Sequence, residues 1–394
     1  MIQTVPDHSI YIHIPFCVHR CAYCDFNTYA RQEAFLPAYI DALCREICFV
    51  AEGATQQHPV HTIFFGGGTP SLLSTLQFET ILKAIQQNFD LLPQAEISLE
   101  ANPGTLSLQS LRDLRSLGFN RLSLGVQSTH PEELRQLERI HDYFDVINVV
   151  TWARRAGFEN LNLDLIFGLP EQSLSRWQAT IHSILSLQPE HLSLYGLTLE
   201  RGTPFGRWAQ RGLLPVPDPD TAADMYEWAS QALEMAGYPQ YEISNWAKPG
   251  RECLHNLQTW RGKPYLGFGA GAHGCANGMR ISNVLRIKTY IEHLHPDHLV
   301  GKLPFPLSPT TSRQINLSVH DEMQETMLTG LRLTKEGVNT KLFSDRYGVQ
   351  MQDIFCREIT ELTSLGLLEW AGSVLRLTKR GRLLGNRVFI QFVG

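Results

Sequence analysis

The 394-residue sequence contains no apolar run that approaches the roughly 18 residues needed to span a bilayer. The segment Met1–His8 carries no basic stretch ahead of an apolar one, so we expect no secretory signal. Cysteine is scarce: eight residues in this length disfavour a disulfide framework and favour a reducing compartment. The net charge of −5 argues against nucleic acid as the main partner. We therefore expect a cytoplasmic protein, with a peripheral membrane contact left open.

Three of the cysteines lie close together, at Cys17, Cys21 and Cys24, and no fourth cysteine follows closely. A [4Fe–4S] cube is normally held by four thiolates, so three thiolates would leave one iron open to a ligand that is not protein. The alternatives are a disulfide and a structural zinc site that His13 or His19 completes. The spacing Cys-x3-Cys-x2-Cys is unusual for zinc and favours the cluster.

Short apolar runs alternate with segments of helical periodicity through the first half of the chain, which predicts βα units and a parallel sheet. The predicted strands are Ser9–Ile14, His61–Phe65, Glu96–Leu99, Arg121–Val126, Asn160–Ile166 and His191–Leu197. The predicted helices between them are Leu36–Val50, Leu72–Phe89, Leu108–Leu117, Tyr143–Ala156 and Ser173–Leu187. Six such units make an α/β fold, a partial (β/α)6 version of the TIM barrel.

Polar and glycine residues lie at or just after the ends of these strands, namely Gly66–Gly68, Glu100, Gln127, Asp164 and Tyr195. Barrel enzymes carry their chemistry at the carboxyl ends of the strands, so we expect these residues to meet the cysteine loop at one mouth. The glycine run lets the backbone approach a ligand closely, which suits an amino-acid-like molecule. A tight turn without a ligand is the alternative interpretation.

We divide the chain into three parts. Residues 1–240 form the predicted barrel, residues 241–300 an extension of it and residues 313–394 a C-terminal unit, after a Pro-, Ser- and Thr-rich linker at about 301–312. The last unit is predicted to contain helices and a short hairpin, an α+β pattern similar to a winged helix. It contains 11 Lys/Arg and 9 Asp/Glu without a dense basic stripe, so a lid or docking role is favoured over DNA binding.

Five motifs suggest a family: Tyr11–Cys17, Gly66–Pro70, Ser98–Gly104, Gly125–Ser128 and Asp164–Pro170. Together they resemble the radical SAM (S-adenosylmethionine) coproporphyrinogen III oxidase-like family. The resemblance runs from about Ser9 to the C-terminus, and it implies that the last unit is similar to the C-terminal domain of the oxidase.

Two features favour the heme chaperone branch of that family over the oxygen-independent oxidase. The oxidase has a fourth cysteine where this chain has Phe26, and it has a long N-terminal extension where only ten residues precede Tyr11 here. The chaperone branch carries a His-Asn-x-x-Tyr-Trp stretch associated with heme binding. Here it reads His255-Asn256-Leu257-Gln258-Thr259-Trp260, with threonine in place of tyrosine.

The resemblance also implies which residues hold each cofactor. Cys17, Cys21 and Cys24 would ligate a [4Fe–4S] cluster whose open iron is chelated by SAM. The positions that match SAM contacts are Tyr11, Tyr23, Gly67, Gly68, Thr69, Glu100, Gln127, Arg139 and Asp164. Some of these contact a second SAM in the oxidase, and a structural ion pair or hydrogen bond is the alternative for each. His255 would be the axial ligand of heme, with Cys253 and His273 as rivals.

We therefore expect a heme chaperone that binds heme and transfers it to an acceptor protein, with an electron donor for the cluster and no nucleic-acid partner. The acceptor is unidentified, and a respiratory, membrane-associated protein is the hypothesis. The alternative is a radical SAM enzyme that acts on a porphyrin or porphyrinogen, such as an oxygen-independent coproporphyrinogen III dehydrogenase. A zinc protein with a barrel fold is a third hypothesis.

Overall fold

The structure, a computed structural model, describes residues 7–299 and 301–393. Its strands are β1 (His8–Ile14), β2 (Phe16–Cys17), β3 (Tyr29–Ala30), β4 (Pro59–Gly67), β5 (Asp90–Ala101), β6 (Arg121–Gln127), β7 (Leu161–Phe167), β8 (His191–Gly196), β9 (Gln240–Glu242), β10 (Asn245–Ala247), β11 (Tyr265–Phe268), β12 (His273–Ala276), β13 (Met279–Asn283), β14 (Thr311–Asn316), β15 (Val338–Asn339), β16 (Leu368–Ala371) and β17 (Val374–Leu377). Its α-helices are α1 (Leu36–Glu52), α2 (Thr75–Asn88), α3 (Leu108–Ser116), α4 (Pro131–Gln136), α5 (Tyr143–Arg155), α6 (Leu174–Ser186), α7 (Pro204–Gln210), α8 (Pro219–Met235), α9 (Leu254–Trp260), α10 (Ile287–His293), α11 (Val319–Gly330), α12 (Thr340–Tyr347), α13 (Met351–Ile354), α14 (Cys356–Ser364), α15 (Lys379–Leu383) and α16 (Gly385–Phe389).

Six parallel strands form the middle of a large sheet. The sheet has 12 strands in the order β14-β13-β12-β11-β1-β4-β5-β6-β7-β8-β10-β9, and helices connect each pair of successive parallel strands from β1 to β8. The predicted βα units and partial barrel are therefore confirmed. The strands run slightly further than predicted, so Glu100 and Gln127 are the last or next-to-last residues of β5 and β6 rather than residues after them.

Alternation along β1 explains which side chains face the barrel interior. Successive side chains of a strand point to opposite faces of the sheet. Ile10, Ile12 and Ile14 belong to the core between the sheet and the helices. Tyr11 and His13 lie between them in sequence and line a cavity on the other face.

Polar caps fix where the outer helices begin. Ser74, Ser107 and Asp142 precede α2, α3 and α5, and each forms a reciprocal capping box with the residue three positions on. Helices α2 and α3 follow the connections that leave the carboxyl ends of β4 and β5, whereas α4 lies between β6 and α5. The caps of α2 and α3 therefore also limit the length of the connections at the barrel mouth.

Strands β11 to β14 extend the sheet beyond β1, and the predicted linker at 301–312 belongs to this extension. β14 pairs with β13 and crosses the predicted limit at residue 313. Ser308 and Thr310 are buried, and their hydroxyls donate to Glu46 Oε1 at 2.8 and 2.6 Å. Part of the predicted linker is therefore packed around a buried carboxylate, and its limits stay a prediction.

The C-terminal unit consists of α11 to α16 and a sheet in the order β15-β17-β16, with its own hydrophobic core. This is the predicted α+β arrangement, while the limits of the three predicted parts stay predictions. Three ion pairs join the unit to the rest of the chain: Arg261–Glu336 at 2.6 Å, Arg280–Glu325 at 2.6 Å and Arg332–Glu242 at 3.5 Å. Among the described residues, no helix combines the length and apolar character needed to cross a membrane.

Candidate functional site

One cavity of about 950 Å³ lies inside the partial barrel. All of the predicted site residues line it: Tyr11, Cys17, Cys21, Tyr23, Cys24, Gly67, Gly68, Thr69, Glu100, Gln127, Arg139, Asp164 and His255. The volume is at the upper end of the range usual for small-molecule and cofactor sites. The fold therefore brings together residues that are up to 244 positions apart, as the difference between 255 and 11 shows.

The cysteine loop is held against the glycine turn that follows β4. The Gly68 N–H donates to Ile14 O at 2.8 Å, and the Thr69 N–H donates to Phe16 O at 2.8 Å. A Cβ atom at Gly68 would lie 2.6 Å from Phe16 O and 3.0 Å from the Cys17 sulfur. Glycine at this position therefore allows the turn to lie directly against the loop.

A chain of hydrogen bonds links two of the three cysteines. Thr69 Oγ1 donates to Cys17 Sγ at 3.5 Å, and Asn102 Nδ2 donates to Thr69 Oγ1 at 3.0 Å. Arg139 donates to Asn102 Oδ1, and its Nη1 lies 3.6 Å from Cys21 Sγ. Hydrogen bonds of this kind orient ligand side chains and stabilise thiolates. Asn102 was not among the predicted site residues, although it lies in one of the quoted motifs.

The electrostatics of the loop favour thiolates only in part. Burial raises the pKa of the Cys17 thiol, and the Thr69 hydroxyl and Arg139 guanidinium oppose that rise. The nearby Cys21 and Cys24 raise it further. A positively charged metal centre among the sulfurs would favour the thiolates, because metal binding requires and stabilises the deprotonated form.

The two histidines of the zinc interpretation are engaged elsewhere. His13 Nε2 contacts Asn27 O at 2.9 Å and its Nδ1 contacts the Tyr11 hydroxyl at 3.0 Å, while His19 Nε2 pairs with Glu138 at 3.1 Å. Within residues 7–299 and 301–393, no three Cys, His, Asp or Glu side chains are close enough to share one metal ion. Thiolates that bind different irons of a cube do not need to meet at one point, so the donor set fits a cluster better than zinc.

The turn after β4 also binds a carboxylate from the next strand. Gly67 has a φ of +111°, and a Cβ atom there would lie 2.6 Å from the His13 ring. Its N–H donates to Glu100 Oε2 at 3.1 Å. Burial and the nearby Asp164 raise the pKa of Glu100 to about 7, while the Gly67 N–H and Arg121 oppose the rise.

We expect the stability of the metal-free protein to depend on pH through Glu100. The folded state keeps the proton up to about pH 7, whereas the unfolded chain loses it near 4.5. The folded state therefore binds more protons in this window, and its stability falls as the pH rises through it. The Glu100→Gln variant lacks this group, so its melting temperature should rise relative to the wild type between about pH 5 and about pH 8. A constant difference across the window would show that the Glu100 pKa is ordinary, and Glu79→Gln on the outer helix α2 is the control.

The second carboxylate, Asp164, is surrounded by donors. Ser123 Oγ donates to it at 2.9 Å and Asn162 Nδ2 at 2.8 Å. Burial still raises its pKa. Gln127, nearby at the end of β6, has a φ of +67° where the pairing of β6 with β7 shifts register. A non-glycine residue in this region is strained, which is typical of functional sites.

His255 lies on α9, which packs against β4 and places the histidine in the same cavity. The ring is buried beside Phe64, with ring centroids 5.1 Å apart, and beside Tyr11 at 6.4 Å. Its Nδ1 lies 2.9 Å from Thr62 Oγ1. Burial lowers the pKa of His255 to about 3, so the ring is neutral at physiological pH.

The two rival ligands differ in position. Cys253 is fully buried, its thiol contacts Glu96 Oε1 at 3.6 Å, and burial raises its pKa to about 12. It does not line the cavity, whereas His273 does. His273 is therefore the rival to His255 that the geometry leaves available.

Comparison with known proteins agrees with this site. The family model of the radical SAM superfamily matches residues 11–184, and that of the HemN C-terminal domain matches residues 317–384. The protein named heme chaperone HemW from Bacillus subtilis (strain 168) is 41% identical over 389 residues, which cover 98% of this chain and 99% of the relative. The HemW of Escherichia coli (strain K12) is 35% identical over 391 residues, 99% of both chains. The chain belongs to the HemW family.

The HemW-family chain also matches a solved structure of a different member of the superfamily. This is coproporphyrinogen III oxidase (HemN) from Escherichia coli, described as a radical SAM enzyme. The TM-score is 0.83 at 26% sequence identity, and the match covers 98% of this chain and 90% of the oxidase. The family and fold predicted from the motifs are therefore confirmed.

Several polar residues that line the cavity of this HemW-family chain were not predicted from the sequence, among them Asn102, Arg121, Ser123 and Asn162. Thr62 and Glu96 were not predicted either; they contact α9 and lie outside the cavity lining. A signal for some of them was present. Arg121, Ser123 and Asn162 are polar residues within predicted buried strands, and such residues face a polar interior or a ligand. The roles of Thr62 and Glu96 depend on their contacts with α9. The sequence pattern did not predict where α9 lies relative to the barrel.

Proposed function

We propose that this HemW-family protein is a heme chaperone that binds heme and transfers it to an acceptor protein. The observation that carries the proposal is the position of His255, a buried histidine whose ring lines the same cavity as the cysteine loop. Relatives at 35–41% identity over nearly the whole chain are named heme chaperones, which supports it.

The hydrogen bonds of His255 determine which ring nitrogen is available to iron. Thr62 Oγ1 donates its single hydrogen to Ser9 Oγ at 2.6 Å, so toward His255 it can act only as an acceptor. The neutral ring therefore carries its proton on Nδ1 and keeps the lone pair on Nε2. A metal-binding histidine commonly donates its other ring N–H in this way, because that bond fixes the tautomer and the orientation.

We propose that Cys17, Cys21 and Cys24 ligate a [4Fe–4S] cluster and that SAM binds its open iron. When bound, the cluster would supply the electron that breaks the sulfonium C–S bond of SAM. Thr69, Asn102 and Arg139 would orient the cysteine ligands through their hydrogen bonds. Residues of the cavity would also contact SAM. Those contacts would come from Tyr11, Tyr23, Gly67, Gly68, Thr69, Glu100, Gln127 and Asp164. Arg139 is already bonded to Gly125 O at 2.7 Å and to Asn102, so a structural role for it is favoured over SAM binding.

The second candidate is a radical SAM enzyme that acts on a porphyrinogen. The complete set of predicted SAM contacts and the similarity to the oxidase structure favour it. Phe26, which stands in place of the oxidase's fourth cysteine, is exposed at the cavity and cannot replace a thiolate.

One pair of assays on the same anaerobic, reconstituted sample separates the two functions. Heme is titrated into the protein, and coproporphyrinogen III is supplied with SAM and a reductant. The chaperone predicts saturable heme binding and no protoporphyrinogen above background. Protoporphyrinogen formed over many turnovers, together with 5′-deoxyadenosine, would establish the oxidase instead.

We expect His255→Ala to weaken heme binding about tenfold or more, because it removes the axial ligand. The measurement is an equilibrium titration followed in the Soret region. His182→Ala, on the outer helix α6 and away from the cavity, should bind as the wild type does. A loss confined to His273→Ala would transfer the ligand role to His273.

The partners follow from this function. We propose a cytoplasmic protein that takes electrons from a separate donor and delivers heme to a respiratory acceptor, with peripheral contact at the membrane where that acceptor lies. No nucleic-acid partner is proposed.

A further inference from the structure

Arg121 is a buried cation that lines the cavity and has an unused N–H donor. The residue is 2% exposed, and its Nε is buried without an acceptor. Burial lowers the pKa of Arg121, but the nearby Cys253, Glu96, Tyr241 and Asp164 outweigh burial and raise it overall. A buried donor of a charged group that has no acceptor is unfavourable, so this N–H points to an anion that completes the site.

Three acids interact electrostatically with Arg121, namely Glu96, Asp164 and Glu100, and each accepts hydrogen bonds from other groups. Glu96 accepts the backbone N–H groups of Leu254 and His255 at 3.1 and 3.2 Å and so holds the start of α9. Asp164 accepts from Ser123 and Asn162, as described above. None of these acids accepts a hydrogen bond from Nε of Arg121, so that donor remains available to a ligand.

The other arginines of the cavity are bonded too. Arg20 donates to Cys24 O and Phe26 O at 3.3 and 3.4 Å, and Arg139 donates to Asn102 and Gly125 O. Arg121 is therefore the arginine of this cavity, within the described residues, that has no acceptor of its own.

We propose that Arg121 binds a carboxylate of the cargo, a propionate of the tetrapyrrole. The planar guanidinium matches a carboxylate with two parallel hydrogen bonds. His255, proposed above as the ligand of the iron, lines the same cavity, so one molecule can meet both residues. This proposal rests on the proposed function, because it requires heme to enter the barrel.

The backbone of Arg121 lies at the opposite end of β6 from the predicted SAM contacts, although its charge acts on Glu100 and Asp164, so the test below separates the two anions. Arg121 is the first residue of β6 and Gln127 is the last. At about 3.3 Å per residue their Cα atoms are roughly 20 Å apart. The SAM carboxylate would lie at the carboxyl ends of the strands, beside the cysteine loop and the Gly67–Thr69 turn. The Arg121 side chain begins from the opposite end.

The test compares heme with heme dimethyl ester, in which both propionates are esterified, on the full-length protein. We expect the wild type to bind heme about tenfold or more tightly than the ester, because a hydrogen-bonded charge pair is lost. In Arg121→Met this preference should disappear through weaker binding of heme, while the ester binds as before. Arg121→Lys should retain part of the preference, and Arg112→Met, at an exposed position on α3, should retain all of it.

Each of the other outcomes would overturn either the role of Arg121 or the proposed function. Equal affinities for heme and ester in the wild type would overturn the role of Arg121 and leave the chaperone function intact. Arg121→Met with weaker SAM binding and unchanged heme preference would assign the arginine to SAM and overturn the proposal. Failure of the wild type to bind either heme or ester would instead refute the proposed function.

Discussion

Replacing Cys21 with alanine should leave the reconstituted protein without its iron–sulfur cluster. A cube held by three thiolates loses one of its three anchors, and no other cysteine is positioned to replace it, since Cys253 is buried against Glu96 and points away from the cavity. We expect the wild type to contain about four iron atoms per chain and the variant close to none. The measurement is iron and sulfide analysis beside the visible absorbance of the cluster.

The matched control for this experiment is Cys356→Ala, which changes an exposed cysteine in the C-terminal unit. It should retain the full iron content. Metal analysis would contradict the cluster assignment if Cys21→Ala kept its iron, or if the wild type carried about one zinc in place of iron.

Glu46→Ala should destabilise the chain by at least about 3 kcal/mol, because it leaves several buried donors without an acceptor. Glu46 is fully buried on α1. Its carboxylate accepts hydrogen bonds from Gly269 N at 2.8 Å, Asn283 Nδ2 at 2.8 Å, Tyr290 OH at 2.5 Å, Ser308 Oγ at 2.8 Å and Thr310 Oγ1 at 2.6 Å. One side chain therefore ties the barrel to the segment that carries β11 to β14.

The measurement for Glu46 is the urea midpoint of the metal-free protein, followed by circular dichroism. Glu79→Ala is the control, because Glu79 forms a partly exposed pair with Lys83 on α2 and such pairs contribute about 0.2–1 kcal/mol at most. A midpoint for Glu46→Ala close to that of Glu79→Ala would mean that water or neighbouring groups satisfy the five donors.

Much of the barrel could be predicted from sequence because its strands are short apolar runs and its helices are amphipathic. The strand at Arg121–Val126 and the helix at Tyr143–Ala156 differ from the structure by one residue at one end. Strands β11 to β14 could not be predicted in the same way. They are short and paired mainly in antiparallel fashion at the sheet edge, so their pattern depends on neighbours distant in sequence.

The cysteine end of the site was predictable because spacing within one loop carries the chemistry. The part of the site around His255 was not predictable, because it depends on contacts between elements that are distant in sequence. Glu96 holds the start of α9, Thr62 orients His255, and Arg121 lines the same cavity as His255. No local pattern links these residues, and only the folded barrel places them around His255.

The most direct test is an experimental structure of the heme-loaded protein. We predict heme inside the barrel, with its iron coordinated by His255 Nε2 and a propionate on the Arg121 guanidinium. Heme on the outer surface, or coordinated by a residue that does not line this cavity, would contradict the account.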